Sequence, residues 1–186
     1  STLASDVLAE AHRVVEGDGI AIIGMGKLGA SELNYSSDID LMFVGEGPRG
    51  ALDRETRALL DIARQCFRVD INLRPEGRDG VLVRSVESFA AYWERWAQPW
   101  EFQALLKAVP VAGDVATGAQ WFDAAQRALW HQPFDADALR SIRALKERAE
   151  LEVARKGLAT REIKRGPGGI RDIEFTVQIL QLVHGN

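Results

Sequence analysis

The first half of the chain mixes the apolar spacings of helices with those of strands. Residues 5–15, SDVLAEAHRVV, carry apolar side chains three and four positions apart and predict an amphipathic helix that ends at GDG. Apolar residues 20–23 predict a strand, and GMGKLG follows it at once. After a short helical stretch within 27–35, the segment DIDLMFVGE at 38–46 predicts a second strand, closed by the loop at 45–50.

A third helix and two more strands continue this order. Residues 52–67 have the spacing of an amphipathic helix, with Asp53 as its N-cap. Residues 67–73, FRVDINL, alternate as a strand does, and a loop with Pro and Gly leads to a short strand, VLVR, at 81–84. Strands therefore lie in the first half of the chain.

Helical spacing dominates the second half, with helices predicted over 86–96, 100–108, about 114–130 and 137–157, and a last one that the Gly-rich segment 161–175 opens. Nothing after Gly113 has strand character, so we predict two domains, 1–113 and 114–186. The apolar face formed by Ile173, Val177 and Leu180 lies just before the end of the sequence. From it we expect the second domain to be truncated and the chain to be a fragment of a longer protein.

Composition narrows the class of protein. The chain of 186 residues is 46% hydrophobic, which is enough for a real core. Its net charge of -4 and pI near 5.5 argue against a general nucleic-acid binder. No apolar stretch approaches the roughly 20 residues of a membrane span, and acids interrupt the region where a signal peptide would be apolar. A single cysteine, Cys66, fits a reducing compartment, so a cytoplasmic protein is predicted.

Several residues receive structural interpretations. Cys66 lies in an apolar segment and is predicted to be buried. Trp93, Trp96 and Trp100 recur at helical spacing and are predicted to be core residues. The three histidines are scattered among helices without acids or cysteines at ligand spacing, which favours surface or core positions over catalysis.

The glycine motif GMGKLG at 24–29 matches the GxGxxG pattern of dinucleotide-binding turns, and Glu46 ends the next apolar run where a ribose-binding acid should lie. The second strand, however, begins with two acids, whereas the corresponding strand of a dinucleotide-binding fold begins apolar. A dehydrogenase is therefore the least favoured function. Ala21 and Leu28 exclude a phosphate-binding P-loop, which requires Gly and Ser or Thr there.

Asp38 and Asp40 are the decisive pair. Residues two apart on a strand point to one face, with Cα atoms roughly 6.5 Å apart, and two carboxylates so placed repel each other unless cations neutralise them. Mg²⁺ prefers carboxylate and phosphate oxygens, and paired metal ions serve in-line attack at phosphorus. Asp70, in the middle of the FRVDINL strand, is the candidate third acid. Arg74 shares its face and could contact a phosphate or pair with an acid.

A glycine turn, a DxD strand and a later strand acid together resemble the DNA polymerase β-like nucleotidyltransferases. The segments GMGKLGASELNYSSDIDL, VDINLRPEG, WEFQALLKA, VAGD and IKRGPGGIRDIEFTVQILQLVHG further resemble the bifunctional glutamine synthetase adenylyltransferase/deadenylylase family over almost the whole chain. The resemblance implies an α+β fold: a mixed sheet with flanking helices, followed by a helical segment.

Site residues follow from the resemblance position by position. Asp38, Asp40 and Asp70 are implied as catalytic ligands of Mg²⁺ or Mn²⁺. Nucleotide and phosphate binding are assigned to Gly26, Lys27, Ser37 and, from its place on the strand, Arg74. Two departures are present: Val109 stands where the family usually has Arg, and the segment between Asp40 and Asp70 is shorter than in many relatives.

The forms ELNYSSDIDL and IEFTVQILQLVHG look more like the N-terminal half of this family, which removes AMP from a tyrosine of glutamine synthetase by phosphorolysis and releases ADP. The implied partners are glutamine synthetase, a PII signal protein, ADP or ATP, and phosphate. Two alternatives stay open: the ATP-dependent adenylyltransferase half of the same enzyme, and a non-catalytic module that senses nucleotide or a signal protein.

Overall fold

The computed structural model of the chain describes residues 1–131, 134–157 and 161–185. Its helices and strands alternate in the first half, and helices follow in the second. In chain order they are α1 (Thr2–Val14), β1 (Ile20–Met25), α2 (Gly26–Gly29), β2 (Ile39–Gly45), α3 (Arg49–Cys66), β3 (Val69–Asp70), β4 (Val83–Arg84), α4 (Val86–Arg95), α5 (Pro99–Leu105), β5 (Val109–Gly113), α6 (Val115–His131), α7 (Ala136–Arg155) and α8 (Ile170–His184).

The strands form one mixed sheet of five, with the order β3-β2-β1-β5 and with β4 also paired to β2. β1 runs antiparallel to β2 and β5, while β2 runs parallel to β3 and β4. β3 pairs with the start of β2 and β4 with its end, so both lie on the same side of β2. The predicted α+β class, a mixed sheet with flanking helices, is confirmed.

Both faces of the two central strands are covered. All six residues of β1 are buried, and so are all residues of β2 except Asp40, which is only partly buried. Strands buried on both faces read as nearly continuous apolar runs, which is why IAII and LMFV carry little polar alternation. Alternate residues of β1 and β2 join Leu8 of α1 and Leu59 of α3 in the main core. Asp40 therefore interrupts an otherwise apolar strand.

The described chain divides into two compact units. The first comprises Ser1–Ala97 and Lys107–Leu129 and contains the sheet; the second comprises Gln98–Leu106 and Trp130–Asn186 and is helical. No strand follows Gly113 in the described residues, as predicted. The compact units nevertheless place α5 with the later helices and α6 with the sheet. A domain boundary at 113/114 stays a prediction.

Three details of the predicted elements are wrong. α3 begins at Arg49 after Pro48, so Asp53 is not its N-cap but lies one turn inside, 3.8 Å from the guanidinium of Arg49. The strand predicted over 67–73 pairs only at Val69–Asp70, because the chain turns directly afterwards. β5 was not expected, since its sequence VPVAG contains Pro and Gly, which are rare in strands other than edge strands.

Two burial predictions are also wrong. Cys66 is exposed at the end of α3, whereas Phe67, which follows the helix in extended conformation, packs against the core. Trp96 is 69% exposed, because α4 ends at Arg95 and the chain leaves the face on which Trp93 is buried. None of the helices in the described ranges is long and apolar enough to cross a membrane.

Candidate functional site

Two parallel strands place the predicted acids at one edge of the sheet. In the β2/β3 ladder Ile39 is the register partner of Val69 and Asp40 is the partner of Asp70. Directly paired residues of neighbouring strands lie on the same face of a sheet. Asp40 and Asp70 are therefore adjacent, as their predicted common role requires, and both are partly buried.

Asp38 lies just before β2 and is engaged by a basic residue. Nε of Arg68 donates to Oδ1 of Asp38 over 2.5 Å, and Nη2 of Arg68 donates to the carbonyl of Ser36 over 2.6 Å. The main chain holds this corner in register, because the amide of Ile39 donates to the carbonyl of Arg68 over 2.9 Å. Asp38 thus shares the strand start with Asp40 but pairs with Arg68.

Asp38, Asp40 and Asp70 offer the kind of ligand atom that a divalent cation binds, and all three lie at the start of β2 or in β3. Their donors are all carboxylate oxygens, which Mg²⁺ and Mn²⁺ accept. In the parts of the chain that the structure describes, however, no three His, Cys, Asp or Glu side chains converge closely enough to hold a metal ion. Asp40 and Asp70 are in place, while Asp38 would have to leave Arg68 to join them. The metal role of all three residues stays a prediction.

The glycine turn lies directly against the second acid. Gly26 follows β1 with φ of +52°, in the left-handed region that favours glycine, and its neighbour Met25 is the register partner of Asp40. A Cβ atom built on Gly26 would lie 2.9 Å from Oδ2 of Asp40. The missing side chain thus leaves space for this carboxylate at the mouth of the turn.

The last glycine of the motif has a different purpose. A Cβ on Gly29 would come within 1.8 Å of the carbonyl oxygen of Lys107. Gly29 therefore allows the short helix α2 to pack against the segment leading into β5. The motif GMGKLG combines one glycine at the carboxylates with another required for packing.

Lys27 and Ser37, both predicted to contact phosphate, are brought together. Nζ of Lys27 donates to Oγ of Ser37 over 3.5 Å. Ser37 Oγ also donates to Oδ1 of Asn34 over 2.9 Å, and the main-chain N–H of Asn34 donates to Ser37 Oγ over 3.3 Å. A cation and a hydroxyl therefore lie next to the strand start at Asp38. Sequence analysis missed Asn34, which orients the hydroxyl.

Arg74 organises its own loop in this structure. Its guanidinium donates to the carbonyls of Ile71, Arg78 and Gly80 over 2.5, 3.1 and 3.2 Å. Burial lowers the pKa of Arg74 below its ordinary value, while the nearby carboxylates of Asp70 and Asp79 act in the opposite direction. The predicted phosphate contact stays a prediction, and the observed bonds give Arg74 a structural role.

Arg68 and Val109 also lie at this end of the sheet. Arg68 was missed by the sequence analysis, although it precedes Asp70 by two residues, the same spacing that identified Asp38 and Asp40. Val109, where the family usually has Arg, pairs with Gly24 across β1 and β5 and so lies at the site end of the sheet.

Comparisons with known proteins match two parts of the chain to two family models. Residues 3–125 match the family model described as glutamate-ammonia ligase adenylyltransferase, and residues 140–186 match the model described as PII-uridylyltransferase. The chain is 46% identical to the bifunctional glutamine synthetase adenylyltransferase/adenylyl-removing enzyme of Mycobacterium avium (strain 104), with 100% of the chain and 19% of that protein aligned.

Enzymes of the same name from Mycobacterium leprae and Streptomyces coelicolor are 45% and 44% identical, with 96% and 89% of the chain covered and 18% of each of those proteins. The chain therefore spans about a fifth of the length of these relatives. The matches confirm the family resemblance that the sequence motifs indicate.

Proposed function

Since the chain belongs to the glutamate-ammonia ligase adenylyltransferase family, we propose that it carries the adenylyl-removing activity that the names of its relatives include. Inorganic phosphate attacks the phosphorus of a tyrosine-linked AMP on glutamine synthetase. A phosphate oxygen forms the new bond to phosphorus, the bond to the tyrosyl oxygen breaks, and ADP and the free tyrosine hydroxyl are released.

The observation that supports this proposal most is the register pair of Asp40 and Asp70 beside the turn at Gly26. A phosphoryl group lying over this turn would face two carboxylates at once, and it needs cations between itself and them. Asp38, Asp40 and Asp70 are the residues that would hold Mg²⁺ or Mn²⁺, whose charge would stabilise the negative charge that develops on the phosphoryl oxygens.

Lys27 and Ser37 supply the remaining polar contacts of the proposed site. The ammonium of Lys27 is a mobile point charge suited to a phosphate oxygen, and Ser37 Oγ, 3.5 Å from it, can accept from or donate to the same ligand. The main chain at Gly26 can approach the nucleotide closely because no side chain blocks it. Binding and orientation of the phosphates are therefore assigned to these three residues.

The leaving group fits a site without a dedicated strong acid. The phenol of tyrosine has an unperturbed pKa of about 10, so charge stabilisation of the departing phenolate by cation or hydrogen bond suffices at neutral pH. The phenolate then takes a proton from water. We assign no general acid among Asp38, Asp40 and Asp70, whose role is to bind cations.

A regulatory partner is proposed for the later helices. The segment 140–186 matches the family model of PII-uridylyltransferase, an enzyme named for acting on a PII protein. In the described residues it contains most of α7 and all of α8, outside the unit that contains the sheet. We propose that a PII-type protein binds there.

The test separates the three functions that the sequence leaves open. The chain is incubated with adenylylated glutamine synthetase and phosphate, and in parallel with unmodified glutamine synthetase and ATP. We expect phosphate-dependent ADP release in the first reaction. Incorporation of AMP in the second, without ADP release in the first, would assign the chain to adenylyl transfer instead. Binding of nucleotide or signal protein without either reaction would make it a sensing module.

Matched variants tie the activity to the site. Asp40→Asn and Asp70→Asn should each abolish ADP release, whereas Asp61→Asn, on the exposed side of α3, should leave it unchanged. Phosphorolysis that survives both site substitutions would rule out the assigned carboxylates.

A further inference from the structure

Four side chains form a two-by-two arrangement at the start of the β2/β3 pair. Asp40 lies beside Asp70 in register, and two residues earlier on each chain, just outside the strands, Asp38 pairs with Arg68. Residues two apart along a strand share a face, so the pair at 38 and 68 extends the pair at 40 and 70. Three corners of this arrangement are acidic and the fourth is basic.

The basic corner reduces the repulsion among the acidic ones. Neighbouring strands lie about 4.8 Å apart, and residues two apart on a strand lie roughly 6.5 Å apart, so the carboxylates repel one another, and the register pair Asp40 and Asp70 does so most. Arg68 offsets one of these charges by its 2.5 Å contact with Asp38 Oδ1. In this arrangement the Asp38 carboxylate is directed to Arg68.

Arg68 can give up its contact with Asp38 at low cost, because this ion pair is exposed to solvent. The Arg68 and Asp38 side chains are 72% and 54% exposed, and exposed ion pairs are weak. Arg68 also keeps a second anchor, the Ser36 carbonyl at 2.6 Å, which does not depend on Asp38. The guanidinium can therefore release the carboxylate and remain at the strand start.

We propose that Arg68 is a positioning residue that competes with the divalent cation for Asp38: its guanidinium binds this carboxylate, and the carboxylate must leave Arg68 to bind the cation. The inference rests on the proposed function, because it takes Asp38, Asp40 and Asp70 as the cation ligands. It adds a control on cation affinity that neither the family motif nor the reaction requires.

The first experiment measures binding of Mn²⁺ alone to the chain by electron paramagnetic resonance or calorimetry. Arg68→Gln removes the charge but can still donate to the Ser36 carbonyl. We expect it to lower the Kd for Mn²⁺ about twofold to fivefold, the range that an exposed ion pair supplies. Arg68→Lys, which keeps the charge, should stay near the wild-type Kd.

A matched control separates the local contact from the general field of a positive charge. Arg64→Gln removes a charge on α3 that pairs with Asp61, so it should leave the Kd for Mn²⁺ unchanged. An equal change in Arg64→Gln and Arg68→Gln, an unchanged Kd in Arg68→Gln, or weaker binding in that variant would each overturn the competition.

A second measurement observes the exchange itself. The Nε–H signal of Arg68 in proton–nitrogen spectra should lose protection from solvent exchange when Mg²⁺ is added, and should lack that protection without Mg²⁺ in Asp38→Ala, which removes the acceptor of this bond. Persistence of the protection at saturating Mg²⁺ would also overturn the inference.

Failure of this inference is distinguishable from failure of the proposed site. If wild type and Asp40→Asn bind Mn²⁺ equally, the carboxylates are not the cation site and both proposals fall. If Asp40→Asn loses binding while Arg68→Gln equals wild type, only the role of Arg68 is wrong.

Discussion

Gly26 faces the carboxylate of Asp40 so closely that a Cβ atom on Gly26 would lie 2.9 Å from Oδ2 of Asp40. The residue also has a positive φ of +52°, which costs other residues roughly 1–2 kcal/mol. Gly26→Ala should therefore destabilise the fold by about this amount and also shift Asp40. We expect ADP release to fall on the order of 10²-fold, as small displacements of reacting groups do.

Gly50→Ala is the control for this substitution. Gly50 lies in α3, and a Cβ atom there would meet nothing within 4 Å and would need no positive φ, so alanine should leave activity unchanged and favour the helix. Denaturant unfolding measures the change in stability, and the phosphorolysis assay measures the change in ADP release. Full activity in Gly26→Ala would show that Asp40 tolerates displacement and is not a ligand.

Arg74→Gln distinguishes a structural role from a phosphate contact. The arginine donates to three carbonyls of the loop 71–80, and a glutamine can replace only part of these bonds. We expect a loss of about 1–3 kcal/mol in unfolding free energy, since a hydrogen bond from a charged donor contributes about this much. The KM for phosphate should change little. A raised KM with unchanged stability would support the phosphate contact that the sequence suggests.

Asp114 should make stability depend on pH through the start of α6. Its Oδ1 accepts from the amide of Thr117 over 2.7 Å, and this bond is the main cause of its lowered pKa, with the charge of His12 acting in the same direction. A carboxyl whose pKa is lower in the folded state stabilises fully above its unfolded pKa, near 4, and loses that contribution as the pH falls through its folded pKa.

Two substitutions test this contribution by denaturant unfolding at pH 7 and at lower pH. Asp114→Ala should cost about 0.5–2 kcal/mol at pH 7, the usual loss for an N-terminal cap, and less as the pH falls below 4. Asp114→Asn keeps a capping oxygen without the charge, so its stability should vary less with pH over that window. A deficit of Asp114→Ala that does not shrink in acid would contradict the assigned ionisation.

Trp121 links α6 to α4 through a cluster of aromatic rings. It is fully buried, with ring centroids 5.9 Å from Phe89 and 5.8 Å from Trp93. Its Nε1 is buried and has no hydrogen-bond partner among the described residues. Trp121→Ala should cost about 3–5 kcal/mol, while Trp121→Phe should cost clearly less, because it keeps a ring and removes the unpaired N–H. Equal losses in denaturant unfolding would contradict this expectation, because the ring kept in Trp121→Phe would then contribute nothing to stability.

The central strands and their acids could be predicted because local pattern and tertiary role agree there. β1 and β2 are apolar because both faces are covered, and an acid inside such a strand needs a chemical reason, so Asp40 is identifiable from sequence alone. The partner of Asp40 depends on the register of β2 and β3, which periodicity alone does not fix.

Sequence analysis missed one strand because it depends on a contact distant in the chain, and it did not anticipate the local geometry of two residues. β5 carries Pro110 and Gly113 and becomes a strand only by pairing with β1. The guanidinium of Arg74 donates to carbonyls of its own loop, and the sequence pattern does not predict these hydrogen bonds. Asp53 has the composition of a cap, but the helix begins earlier, after Pro48.

β3 is only two residues long, and one of them is Asp70. Short, partly exposed strands open at much lower free energy than the buried centre of a sheet, so native proteins populate local openings in which such a strand detaches while the rest stays folded. In that partially open form Asp70 is separated from Asp40 although β1 and β2 remain paired. Amide hydrogen exchange at Val69 and Asp70 would then report how often the third carboxylate is absent from an otherwise folded molecule, and a bound cation bridging the two strands should slow that exchange.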